Sequence, residues 1–166
     1  MKPEELLCIL SRAARLKTTM RHCYTAADRK ESVADHSFRM ALMAMLLQGE
    51  EEFRNMDMDK VIRMCLIHDL GEAFTGDIPT FEKTSADTEK ETAFFLDWVN
   101  SFPSPQKEEW LSLLVEMESL ATLEAKTYNP QWGKTESLLT QIWNKTGIPT
   151  LTTALQHHFG SPSHSN

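Results

Sequence analysis

The sequence predicts an all-α helical bundle. Three observations carry that expectation. Apolar residues recur at helical spacing through most of the first two thirds of the chain, capping residues stand ahead of those runs, and no strand-like alternation persists before residue 120. With 166 residues, 41% of them hydrophobic and 25% charged, the chain suits one domain with a real core.

The first helix starts near Pro3, and Leu6, Leu7, Ile9, Leu10, Ala13, Ala14 and Leu16 cover one face, with Arg12, Arg15 and Lys17 as a basic edge. Periodicity fails from Thr18 to Arg29, which predicts a loop. Ser32 is the expected N-cap of the next helix, with Asp35 adding negative charge in its first turn. The run from His36 to Leu47 is apolar almost all round, as befits the middle of a bundle. Asp57 caps a third helix, whose apolar positions Val61, Ile62, Met64, Cys65, Leu66 and Ile67 lead to His68 and Asp69. Gly71, Gly76 and Pro79 then predict a loop. Two further helices are expected, Ala86 to Ser101 and Gln106 to Leu120, separated by Pro103 and Pro105.

The tail differs in composition. Of 24 acidic residues only Glu136 follows Lys126, and the stretch is rich in Thr, Ser, Asn, Pro and Gln. A helical bundle over 1–126 and a divergent C-terminal segment over 127–166 are therefore expected. Ser137 to Trp143 and Leu151 to Phe159 are short helical candidates, and the last six residues are expected to be disordered.

The formal net charge of -7 argues against a duplex nucleic acid partner, where phosphate neutralisation supplies most of the affinity. A small phosphorylated substrate needs only a local basic patch. The N-terminal apolar run is too short for a signal peptide or a membrane span, so a cytoplasmic protein with no membrane partner is expected. Cys8 and Cys65 sit among apolar residues and are expected to be buried, reduced thiols.

Three groups of residues are able to carry chemistry. His36, on an apolar helix, joins His68 and Asp69 at the end of the next. Alone, His36 is better read as a hydrogen-bonded core histidine than as a ligand. Together, two imidazoles and a carboxylate make an open site for a divalent transition metal. Such a metal lowers the pKa of bound water to about 7. Second, Glu72 and Asp77 lie on the glycine-broken turn after Asp69, suited to general base and leaving-group acid work. Composition alone favours plain solvated loop residues there. Third, Arg21, Arg29 and Lys30 flank the His36 helix. Arg21 suits a phosphate clamp, although such clusters are usually solvated surface.

Glu31-Ser-Val-Ala-Asp-His36, followed by His68-Asp69-Leu-Gly-Glu72-Ala-Phe-Thr-Gly-Asp77-Ile-Pro79, resembles the HD-domain metal-dependent phosphohydrolases of the 5'-deoxynucleotidase-like branch. The resemblance spans about Glu4 to Lys126. It implies an HD-domain helical bundle, often a homodimer, that removes phosphate from deoxyribonucleoside monophosphates. By position it implies His36, His68 and Asp69 as ligands of a divalent transition metal (Co, Mn, Zn, Fe or Ni). It implies Glu72 as the residue that helps activate water, Asp77 on the substrate side, and Arg21 on the phosphate. His22 stands where some relatives carry a tryptophan against the sugar.

One departure matters. Relatives continue after Glu-Ala-Lys into a helix whose aspartate is the fourth protein ligand. Here Glu124-Ala-Lys126 is followed by Asn129-Pro-Gln-Trp-Gly133-Lys134-Thr-Glu136, with Gly133 in the aspartate's place. Two explanations stay open. The segment has diverged, or derives from a shifted reading frame, and leaves a weak or absent metal site. Alternatively Glu124, His157 or His158 completes the sphere. The expected function is a metal-dependent phosphomonoesterase. The alternative is a weak or inactive HD domain that binds a nucleotide or a protein partner.

Overall fold

The computed structural model describes residues 1–26, 28–79 and 82–128. They fall in the compact unit Met1–Asn129. The expectations for Gly133, Lys134, Glu136, His157, His158 and the two tail helices lie outside the described residues.

Helix α1 (Pro3–Ala13) begins with proline at its first turn, where a missing N–H costs nothing, and Glu4 and Glu5 complement the helix dipole. A 3-10 turn, Ala14–Lys17, continues it and buries Leu16. The expected apolar face is present but uncovered among the described residues: Leu6, Leu7 and Leu10 are exposed. Arg12 reaches away from it to lie 4.6 Å over the Phe74 ring.

The expected loop from Thr18 to Arg29 is instead largely an antiparallel hairpin, β1 (Met20–Ala26) and β2 (Arg29–Ser32). The reason is instructive. Burial does alternate, with Arg21 and Cys23 more enclosed than Met20, His22 and Tyr24. The inward residues meet the buried carboxylate of Glu31 rather than an apolar core. A polar inward face leaves no hydrophobic period of two to read.

Ser32 ends the hairpin and caps α2 (Val33–Leu47). Its hydroxyl accepts from the Asp35 N–H at 3.1 Å, and Asp35 accepts from the Ser32 N–H at 3.1 Å. This reciprocal box ties down two otherwise orphaned donors. One face of α2, including Val33, His36, Met40 and Ala44, is buried. The other is not: Phe38, Leu42, Met45 and Leu46 are exposed. An all-round central position is thus not what α2 occupies within this unit, where it packs chiefly on α3 (Met58–Ile67).

Helix α3 follows the expected pattern. Asp57 caps it by accepting from the Lys60 N–H at 3.0 Å, and Val61, Met64 and Cys65 are fully buried. Leu66, expected inside, is exposed. The glycine-rich stretch after it contains a single helical turn, α4 (Glu72–Thr75). Helices α5 (Ser85–Asn100) and α6 (Gln106–Ser119) match the expected spans closely. They meet through an aromatic cluster in which Trp98 packs edge-on against Phe102 and Trp110. The short α7 (Leu123–Tyr128) packs on α3 and α6.

The described residues thus form a helical bundle with one small sheet. Cys65 is buried as expected, whereas Cys8, on the uncovered α1, is exposed. No helix of the described residues is long and apolar enough to cross a membrane.

Candidate metal centre

The packing of α2 on α3 brings His36, His68 and Asp69 together. One ligand atom from each lies within 4.8 Å of the other two. Asp69 Oδ2 is 2.9 Å from His68 Nε2 and 3.9 Å from His36 Nε2. The imidazoles meet edge to face, 5.4 Å between centroids, and Tyr128 closes the other side of His68 at the same distance.

The donor set fits a divalent cation. His68 Nδ1 lies 2.8 Å from the Cys65 carbonyl oxygen, an arrangement that puts the ring proton on Nδ1. Nε2 then faces the Asp69 carboxylate at 2.9 Å, a contact that calls for a positive charge between them, carried by a proton or by a bound cation. His36 points the same way. Burial, reinforced by the Arg21 charge, pushes its pKa down to about 3, so the ring is neutral and its lone pair free. As a core histidine it would need partners, yet Nδ1 is buried without a hydrogen bond. Burial drives the Asp69 carboxyl upward, but the short His68 contact and the Arg21 charge outweigh it and hold the group below the usual aspartate range.

Arg21 reaches this centre from β1. Its Nη1 lies 3.5 Å from Asp69 Oδ2 and its Nε 3.3 Å from Glu31 Oε2. The other basic candidates do not join it. Arg29 pairs with Asp35 at 2.7 Å on the outside, and Lys30 is exposed.

Glu72 and Asp77 follow from the turn after α3. Gly71 permits that turn to approach α5, since a Cβ there would stand 2.7 Å from Glu91 Cγ. Gly76, at φ +81°, reverses the chain into Asp77, a conformation that side-chain-bearing residues rarely adopt. The solvated-loop reading fails for Glu72, which is 5% exposed with Oε2 unpartnered. Burial, then the negative charges of Asp69, Asp77 and Glu91, push its pKa up to about 9. Asp77 is half-buried and also raised, mainly by burial, against the favourable fields of Arg21 and His22. His22 itself is exposed on β1.

Glu124, a candidate fourth ligand, is elsewhere. Its Oε1 accepts from the Asp57 N–H at 3.0 Å, at the end of α3 opposite His68. A helix of that length separates its ends by about 15 Å. Two residues, Glu31 at the head of the Glu31-Ser-Val-Ala-Asp-His36 motif and Tyr128, were not singled out by the sequence as members of the centre. Glu31 is 2% exposed, and its burial follows from a hairpin hidden to periodicity. Tyr128 lies in a helix too short to show a period.

The family described as HD domain matches residues 13–157 of the chain. The chain is 35% identical over 105 residues to a Xenopus laevis protein named 5'-deoxynucleotidase HDDC2, covering 62% of this chain and 50% of that one. It is 31% identical over 121 residues to the 5'-deoxynucleotidase hdd1 of Schizosaccharomyces pombe, covering 68% and 59%. The chain thus spans about half the length of these curated relatives. Its fold is similar to the crystal structure of a predicted metal-dependent phosphohydrolase from Magnetospirillum magnetotacticum. The TM-score is 0.65 at 27% identity, over 76% of this chain and 65% of that one.

Proposed function

The chain belongs to the HD domain family, and from that premise we propose that it is a metal-dependent phosphomonoesterase acting on deoxyribonucleoside 5'-monophosphates. The observation that carries this reading is the fusion of two half-sites. The His36, His68 and Asp69 donors share a carboxylate with Arg21. The names of the relatives support the substrate class.

His36, His68 and Asp69 would hold a divalent transition metal, which supplies Lewis-acid polarisation of the phosphoryl group and a nucleophilic water at neutral pH. Arg21 binds the phosphate oxygens through its guanidinium fork. Glu72, its raised pKa lowered by the positive charge of a cation held by His36, His68 and Asp69, would take a proton from the attacking water at Oε2, the buried oxygen without a partner. Water oxygen joins phosphorus as the bond to the 5' oxygen breaks. Asp77, beside Arg21 and His22, hydrogen-bonds the leaving oxygen or a sugar hydroxyl, and His22 stands on the sugar side. Holding these groups in place is most of the catalysis in phosphoryl transfer.

A homodimer is part of the proposal, formed through the uncovered apolar faces of α1 and α2. So is a cytoplasmic location, which suits the free thiols Cys8, Cys23 and Cys65. Duplex nucleic acid is not a proposed partner, given the net charge of -7.

A second reading has its own observation. Gly133 stands where the family's fourth ligand aspartate is expected, which favours a weak or inactive domain that binds a nucleotide or a partner. Phosphate release from a panel of deoxyribo- and ribonucleoside 5'-monophosphates with Co²⁺, Mn²⁺, Mg²⁺ or Zn²⁺ separates the readings. Metal-dependent release supports the enzyme. Metal and nucleotide binding without release supports the binder.

A further inference from the structure

We propose that Glu31 is a positioning residue shared by the metal and phosphate halves of the centre, one buried carboxylate that fixes both His36 and Arg21. The proposal rests on the phosphohydrolase reading above and assigns the residue that makes its two halves one device.

Glu31 is the penultimate residue of β2, directly before the N-cap Ser32, where the chain turns into α2 and brings His36 round at the end of the first turn. At 2% exposure its carboxyl group is out of water and needs polar partners. The two oxygens divide the work. Oε1 takes Arg39 Nη2 at 2.8 Å, from a guanidinium that reaches in from the surface. Oε2 faces the centre, where Cys23 Sγ donates at 3.1 Å, Arg21 Nε stands at 3.3 Å and His36 Nδ1 at 4.0 Å. A mere counter-charge for Arg39 would leave Oε2 idle.

Two consequences follow from that placement. With Nε 3.3 Å from the Glu31 carboxylate, an ion pair without hydrogen-bond geometry, the Arg21 guanidinium is drawn towards Glu31 while its Nη1 stays turned towards Asp69. That is where a phosphate must lie to reach both. On the other side, a carboxylate 4.0 Å from Nδ1, beyond hydrogen-bond reach, favours the proton there through its charge and leaves the His36 Nε2 lone pair on the Asp69 side. Carboxylates that orient a ligating imidazole in this way raise metal affinity without touching the metal.

Glu31→Gln in the full chain removes the charge and keeps the size. Co²⁺ affinity is measured by calorimetry without substrate, and KM and kcat are measured at saturating Co²⁺. The expected result is Co²⁺ binding about 10-fold weaker and KM about 10-fold higher, with a smaller change in kcat. A purely structural role would lower Tm and leave Co²⁺ affinity and KM as in the wild type, and that outcome overturns the proposal. Should the glutamine variant not fold, Glu31→Asp keeps the buried charge and withdraws the carboxylate by one methylene. Both quantities then shift by about threefold, and no shift in either overturns the proposal. Failure of the functional reading is separate. A wild type that binds Co²⁺ yet releases no phosphate ends the substrate half, and Glu31 then stands or falls on Co²⁺ affinity alone.

Discussion

His68 and Asp69, neighbours in sequence, face each other through Nε2 and Oδ2 at 2.9 Å while His68 Nδ1 is committed to the Cys65 carbonyl at 2.8 Å. The geometry sets a ring nitrogen against a carboxylate, and a proton or a shared cation completes the contact. Asp69→Asn removes the anionic member without changing its size. Co²⁺ affinity should fall by more than the roughly 10- to 100-fold typical of losing a supporting group around a ligand. Calorimetric titration checks this, and an unchanged affinity would take Asp69 out of the ligand set.

Arg21 touches Asp69 and Glu31 but, in the proposed mechanism, serves the phosphate. Arg21→Lys keeps the charge needed beside buried Glu31 and loses the planar fork. KM for the monophosphate should rise about 10-fold, with a smaller effect on kcat. Steady-state kinetics read the split, and an equal fall in kcat and kcat/KM at constant KM would argue for a role confined to the transition state.

Glu124 ties α7 to the start of α3 through the Asp57 N–H. Glu124→Ala should therefore leave Co²⁺ affinity unchanged and cost about 1 kcal/mol or less, since the pair is exposed. That hydrogen bond holds the Glu124 pKa below its usual 4.5. A depressed folded pKa means the stabilisation is present above the unfolded value and is lost as pH falls through the folded one. The Tm difference between wild type and variant should be full at pH 7 and shrink below about pH 4.5. A gap that is constant with pH would mean the carboxylate is not the source.

The exposed side chains of Phe38 and Leu46, 66% and 73% accessible, lie on the α2 face that nothing described covers. If a second copy covers them, Phe38→Glu with Leu46→Glu should give a monomer by light scattering at micromolar concentration without lowering Tm below that of a monomer. An unaltered dimer would place the interface elsewhere, and a wild-type monomer would remove the dimer from the account.

Much of this fold could be read along the chain, because its long helices bury apolar stripes and carry ordinary caps. Asp57 and Ser32 cap where they were expected to. The hairpin was not legible, since Arg21 and Cys23 turn inward onto a carboxylate and give no hydrophobic alternation. Apolar content also said less about burial than it promised. Phe38 and Leu7 read as core but stand exposed, because apolar periodicity marks a face able to pack and does not say what, if anything, covers it. Of the candidate centre, His36, His68 and Asp69 could be named from residue type and spacing. Glu31 could not, because its role comes from a partnership across the hairpin that one-dimensional spacing does not record.

The most direct test of the central claim is phosphate release by chelator-stripped protein from a deoxyribonucleoside 5'-monophosphate, with and without added Co²⁺, and with Asp69→Ala alongside. The account predicts release that requires the metal and vanishes in the variant. Release that persists without metal, or in Asp69→Ala, would contradict the assignment of this centre. No release from a folded, Co²⁺-loaded wild type would leave a domain that binds without turning over.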